Sequence, residues 1–294
     1  MVPPGMGGPH KRSIWKGKEP LASGSYAVVH PGRWGLSRVA IKCFKDKEQL
    51  GIDNIRERIN SEITVWATLQ HENIVPLYAT VLDSNGLLAL VTPLHKNGNL
   101  ESFLGKEASR GINRWQLLID VAHGLAYLHD SKKYHGDITL NNILVTDEGR
   151  AVLTDFGLSR MCEQTGYSTL DGGRGCPQYR AYESFVGELS GDPEARACRD
   201  VWAFAIVVVE VITGIKPYDG CSEVVDIWSY LSIGKRPYGP AQLNGLPRPI
   251  PEMLWRSWDM DPSKRPKITE VVLCLAGAAS NVGSRVTPGL QPGL

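Results

Sequence analysis

Short runs of alternating apolar and polar residues crowd the first third of the chain. Longer runs with apolar residues three and four apart fill most of the remainder. Residues 27–30, 38–44, 77–82 and 87–91 read as strands on the first pattern. One helix is predicted among them, over 52–69, where Ile55, Ile59, Ile63 and Trp66 fall on one face. Beyond residue 98 the helical pattern takes over. Asn113 is placed to cap a segment whose Leu118, Val121, Leu125 and Leu128 form a stripe. The longest apolar run, 201–209, stops at Glu210. It falls far short of the ~18 residues of a membrane span and reads as a buried helix.

These patterns divide the chain into a small β-rich part and a larger helical one. The joint lies in the stretch 93–98, where Pro93 and Gly98 interrupt both periods. The expected boundaries are a tail over 1–13, a first lobe over 14–94, a second over 95–278 and a closing tail over 279–294. Both tails are read from Gly, Pro and Ser without apolar periodicity. With 294 residues, 42% hydrophobic and 21% charged, a globular chain with ample core is expected. The net charge of +1 leaves no broad basic footprint for nucleic acid or anionic lipid. Six dispersed cysteines lack the paired spacing of zinc or redox sites, and the first residues carry no apolar leader. An intracellular setting, the cytoplasm first, is the expectation. Oligomeric state is not legible.

The densest chemistry lies in the run His135-Gly136-Asp137-Ile138-Thr139-Leu140-Asn141-Asn142, followed after a short apolar stretch by Asp155-Phe156-Gly157. An Asp-Phe-Gly turn alone signals little. Preceded by His-x-Asp-x4-Asn, it resembles the catalytic and metal loops of the eukaryotic protein kinases. Upstream, Val39-Ala40-Ile41-Lys42 matches the strand whose lysine contacts nucleotide phosphates, and Glu62 matches its helical partner. The stretch from Leu21 to Val29 aligns with the phosphate-covering loop, of whose glycines only Gly24 is kept. Downstream, Gly175 to Glu183 resembles the end of an activation segment, with Glu183 paired to Arg265 and Asp200 bracing the catalytic loop.

The resemblance covers about residues 15–278 and implies an α+β, bilobal protein kinase fold: a β-rich N-lobe with one key helix, and a mainly α-helical C-lobe. It implies an ATP-dependent kinase acting on protein Ser or Thr hydroxyls, with Tyr as an alternative. By the same resemblance Asp137 orients the acceptor, Asn142 and Asp155 hold Mg2+, and Lys42, positioned by Glu62, anchors phosphates. ATP would contact Leu21, Gly24, Val29, Ala40, Lys42, Thr92, Leu94, His95 and Leu144. His135 and Phe156 would stack with Trp66 and Leu77 in a supporting column. Within the kinases the chain looks most like the tyrosine-kinase-like group, in a form resembling the expanded kinases of mushroom-forming fungi.

Several positions depart from the family pattern. Ala22 and Ala27 stand where loop glycines are usual, and Gly136 where an arginine is. Thr139 replaces a lysine, Cys176 a threonine and Tyr182 a proline. Together they motivate a second reading, a pseudokinase that binds ATP and acts as an interaction module. Between Asp155 and Glu183, Thr165, Tyr167, Ser168 and Thr169 lie near Arg160 and Arg174 as candidate modification sites.

Overall fold

The computed structural model describes residues 14–24, 27–45, 60, 63–64, 66–83, 86, 88–156, 176–186, 193–218, 221 and 223–284. Glu62, Gly157, Gly175 and the four hydroxyl residues at 165, 167, 168 and 169 lie outside these. So do both arginines near those hydroxyls and most of the helix expected over 52–69. The chain divides into two units, Met1–Lys96 and Asn97–Leu294.

The first unit is an antiparallel sheet. Its strands are β1 (Ile14–Lys16), β2 (Ala22–Ser23), β3 (Ala27–Trp34), β4 (Ser37–Phe44), β5 (Ala79–Leu82) and β6 (Leu88–Pro93). Their order is β1-β3-β4-β6-β5, with β2 on β3. Strand alternation sends successive side chains to opposite faces. Val39, Ile41 and Cys43 therefore share one side with Ala89 and Val91, and Trp34, Tyr78 and Val81 close over them. Ala40 and Lys42 take the other side, with Val29 opposite Lys42 and Thr92 opposite Ala40. At Gly32 an added Cβ would lie 2.6 Å from Ile41 Cδ1 and 2.7 Å from the Trp15 carbonyl, so the approach of β1 requires glycine. Helical backbone is described at Asn60, Ile63, Thr64 and Trp66. Trp66 is buried, and its indole N–H donates to the Val75 carbonyl.

In the second unit, α1 (Leu100–Leu104) is capped by Asn99, whose side chain accepts from the Ser102 N–H. Helix α2 (Arg114–Asp130) begins at Asn113, whose side chain accepts from the N–H groups of Trp115 and Gln116, as the cap reading anticipated. A two-stranded hairpin of β7 (Ile143–Val145) and β8 (Ala151–Leu153) follows. Then come α3 (Pro193–Thr213), α4 (Val224–Ser232), α5 (Pro240–Leu243), α6 (Ile250–Ser257) and α7 (Ile268–Ser284). The apolar run 201–209 is buried throughout on α3, and helix α2 packs on α3 and α7. Among the described residues no helix is long and apolar enough to cross a membrane.

Helix α3 continues past the apolar run, through the buried Glu210, to Thr213. One boundary differs from the sequence reading. Helix α7 continues through 279–284, a stretch read as tail. Once nucleated at 268, a helix adds residues cheaply even through weak formers. The Ser280 hydroxyl bonds back to the Ala276 carbonyl at 3.0 Å.

Candidate active site

In the first unit, the predicted nucleotide residues collect on the sheet face away from the apolar core. Val29, Ala40, Lys42 and Thr92 are brought together there by register, with Ala22 opposite Val29. The Lys42 ammonium sits 5.3 Å from the centre of the Phe44 ring. Leu21 donates its N–H to the Val29 carbonyl, and Gly24 donates its N–H to the Ala27 carbonyl. Lys45 was missed by sequence reasoning: its ammonium donates to the Gly24 carbonyl at 2.6 Å and the Ser23 hydroxyl at 3.1 Å. Gly24 has no positive φ, and an added Cβ would meet only the Ala27 carbonyl at an ordinary 3.8 Å, so the loop's one retained glycine is not demanded by local geometry. At the end of β6 the Leu94 N–H is turned toward the Arg38 carbonyl at 3.3 Å, while His95 is half-buried.

The second unit carries the catalytic-loop residues. Asn142 uses its amide N–H to donate to both the Asp137 carbonyl and the Asp137 carboxylate, each at 2.8 Å. That leaves its Oδ1 directed elsewhere. The Thr154 N–H donates to the Asn142 carbonyl at 3.1 Å, stitching the loop before Asp155 to the catalytic loop. His135 is fully buried: its Nε2 meets the Thr154 carbonyl at 2.8 Å, and its ring lies 5.1 Å from that of Phe156. The expected pairing of His135 with Phe156 is thus seen within this unit. Asp155 holds φ +66, the left-handed region that a non-glycine residue occupies at a cost. Leu144 is half-buried on β7.

Asp200, at the buried heart of α3, accepts from the His135 N–H at 2.9 Å and the Gly136 N–H at 2.7 Å. His129, which sequence reasoning did not single out, completes the set at 2.9 Å. Burial alone would raise the Asp200 carboxyl; the hydrogen bond and charge of His129, then His135 and the Gly136 amide, outweigh it and hold it below the ordinary range. Gly136 adopts φ +74, a conformation glycine takes freely, at the position where an arginine is usual. Thr139 is buried, so the residue replacing the lysine packs into the loop. Burial pushes the Asp137 carboxyl up, and the Asp155 charge adds to it; His135, Asn142 and Arg180 pull the other way without cancelling it.

The expected pair of Glu183 and Arg265 forms a two-pronged bridge, both contacts at 2.8 Å. Arg265 also donates to the Asp259 carbonyl and lies 4.8 Å from the Trp202 ring. Beside it Tyr179 donates its hydroxyl to Glu210, which Lys216 meets at 3.1 Å. Asp120, fully buried on α2, accepts from Arg150, the Ala151 N–H and Gln116. Neither group was found from the sequence. A carboxylate inside an otherwise apolar stripe was the available signal in both.

The sequence pattern of the family described as protein tyrosine and serine/threonine kinase matches residues 16–275. The chain belongs to this family. The kinase domain accordingly has the bilobal α+β kinase fold, its first unit the β-sheet lobe and its second the helical lobe. It is 30% identical over 253 residues to a probable serine/threonine-protein kinase of Dictyostelium discoideum, covering 86% of this chain and 26% of that protein. It is 28% identical over 261 residues to a serine/threonine/tyrosine-protein kinase of Arabidopsis thaliana, covering 87% and 64%. A melanoma receptor tyrosine-protein kinase of Xiphophorus maculatus is 28% identical over 279 residues, covering 89% and 22%. The chain therefore spans between about a quarter and two-thirds of the first two relatives' own length.

Proposed function

We propose that this kinase domain transfers the γ-phosphate of ATP to Ser or Thr hydroxyls of protein substrates, within the tyrosine-kinase-like group and in an intracellular, cytoplasmic setting. The closer likeness to the expanded kinases of mushroom-forming fungi is part of the same proposal. Tyr is the alternative acceptor. The arrangement that carries the reading is the catalytic corner, in which Asn142 orients Asp137 while its own backbone is tied to the segment bearing Asp155. Asp137 takes the acceptor hydroxyl's hydrogen bond and aims its oxygen at the phosphorus. Lys42, on its sheet face, supplies the compact cation for the α and β phosphates, and Glu62 its positioning partner. Val29, Ala40 and Leu144 would flank the adenine, with Leu21, Thr92, Leu94 and His95 along its edge. Described cysteines at 43, 176, 198, 221 and 274 are free thiols, which supports a reducing compartment.

The donor set suits a hard divalent cation. Asn142 spends its N–H groups on Asp137 and keeps a carbonyl oxygen, and Asp155 adds a carboxylate, the sparse protein set typical of Mg2+ shared with substrate phosphates. Bound there, Mg2+ would neutralise phosphate charge. The second reading, an ATP-binding interaction module without transfer, is favoured by Ala22, Ala27 and the uncharged, buried Thr139. A phosphate-transfer assay with Mg-ATP and a generic protein acceptor separates the two. The kinase reading expects transfer by the wild type that Asp137→Asn abolishes; nucleotide binding with no transfer in either protein overturns it.

A further inference from the structure

The loop read as covering the phosphates is held along its own hairpin. Leu21 donates to the Val29 carbonyl at 2.8 Å, Ala22 and Ser23 pair with Val29 and Val28, and Gly24 donates to the Ala27 carbonyl at 2.9 Å. All of these tie one arm to the other. The outer arm, residues 21–24, is exposed along its whole length, so apolar burial does little to fix it. Strand β3 separates it from β4 in the sheet. Lys45 bridges that gap. It follows Phe44, the last residue of β4, which pairs with Ala27 at the start of β3. From there its ammonium reaches past the end of β3 to the outer arm, donating to the Gly24 carbonyl at 2.6 Å and the Ser23 hydroxyl at 3.1 Å. Two of its three N–H groups are thereby directed at the loop. The same arm adjoins Lys42 through Val29, which pairs with Ala22 on one side and with Lys42 on the other.

We infer that Lys45 is a positioning residue that holds this loop in its nucleotide-covering form before ATP arrives. The inference rests on the reading above of ATP as the ligand of this sheet face. A cation donating to a carbonyl makes a stronger hydrogen bond than a neutral donor does. A loop fixed beforehand spends less of the binding free energy on ordering. Alanine stands at 22 and 27, where loop glycines are usual, and Gly24 is not demanded by local geometry. The tether that sets the loop therefore lies outside it, at the end of β4. On this reading the two lysines divide the work: Lys42 supplies charge to the phosphates, and Lys45 fixes the shape of their cover.

Titration calorimetry of Mg-ATP, with adenosine as competitor, tests this on wild type, Lys45→Met and Lys45→Arg. Lys45→Met should weaken Mg-ATP by about three- to tenfold, the worth of one charge-assisted hydrogen bond at a partly exposed site. Adenosine has no phosphates to cover and should bind both proteins alike, which also shows that the variant is folded. In the transfer assay the loss should fall on KM for ATP, with kcat nearly kept. Without nucleotide, amide exchange at Leu21 and Gly24 should quicken in Lys45→Met. Lys45→Arg, which keeps a cationic donor, should restore both affinity and protection. Unchanged Mg-ATP affinity in Lys45→Met overturns the inference. So does an equal loss for adenosine, which would make Lys45 a general support of the sheet, or weaker Mg-ATP with unchanged exchange, which would make it a direct phosphate contact. Lys45-dependent binding of Mg-ATP without transfer would overturn the kinase reading and keep the assignment of Lys45; no binding of Mg-ATP by wild type would overturn both.

Discussion

Replacing Glu183 by Gln preserves size and one acceptor oxygen but removes the charge facing Arg265. The guanidinium side chain is 0% exposed and the carboxylate side chain 10%. Breaking a buried pair from one side costs about 3–5 kcal/mol, because the remaining charge stays buried. Arg265 keeps its bond to the Asp259 carbonyl and its place near Trp202, which argues for the lower end, about 3 kcal/mol. For a domain of this size that lowers Tm by roughly 6–12 °C. Arg265→Met should cost at least as much, since it strands Glu183 and the Asp259 carbonyl. The double variant should be less destabilised than the sum of the singles, by about 1–3 kcal/mol. Calorimetry of the four proteins closes the cycle, and half-molar salt should barely move the coupling. The exposed pair of Arg256 and Glu270, 46% and 44% exposed, serves as the control. There the coupling should stay below about 1 kcal/mol and fall with salt. Additivity at the Glu183 pair to within about 0.5 kcal/mol would refute the reasoning.

Four other outcomes rest on three positions. Asp137 has its pKa raised by burial, so on acidification the kcat profile should fall at higher pH than an ordinary aspartate near 3.9 allows. The ionised form also costs the native state stability above that value. Asp137→Asn should therefore lose transfer yet raise Tm at neutral pH, with the gain fading toward pH 4; no gain at neutral pH would contradict the burial argument. Gly136→Ala puts a Cβ on a left-handed backbone and should cost about 1 kcal/mol, read as a Tm fall of roughly 2–4 °C. Gly32→Ala should free β1 from the sheet at a cost of about 1–3 kcal/mol, seen as faster amide exchange over residues 14–16 with little change at Leu125.

Much of this architecture was legible because its determinants are local. Strand alternation at 39–43 gave the two faces of the sheet, the apolar stripe at 118–128 gave α2, and Asn113 gave its start. Ordered motifs marked Asp137, Asn142 and Asp155, whose spacing is the one the proposed transfer would use. What escaped depended on distant partners. Asp120 and Glu210 look like polar interruptions of a buried face until Arg150, Tyr179 and Lys216 arrive from elsewhere in the chain. His129 reads as the last turn of a helix, yet its partner is 71 residues away on α3.

The bond from Tyr179 to Glu210 also bears on how modification data from cells should be interpreted. Burial, with the Glu210 charge behind it, drives the phenol's pKa far up and leaves the hydroxyl pointing into the protein. Another enzyme can reach that oxygen only in a chain that has lost this packing. Phosphotyrosine at residue 179 in a peptide map would thus report molecules marked while nascent or unfolded, and would count misfolding rather than signalling.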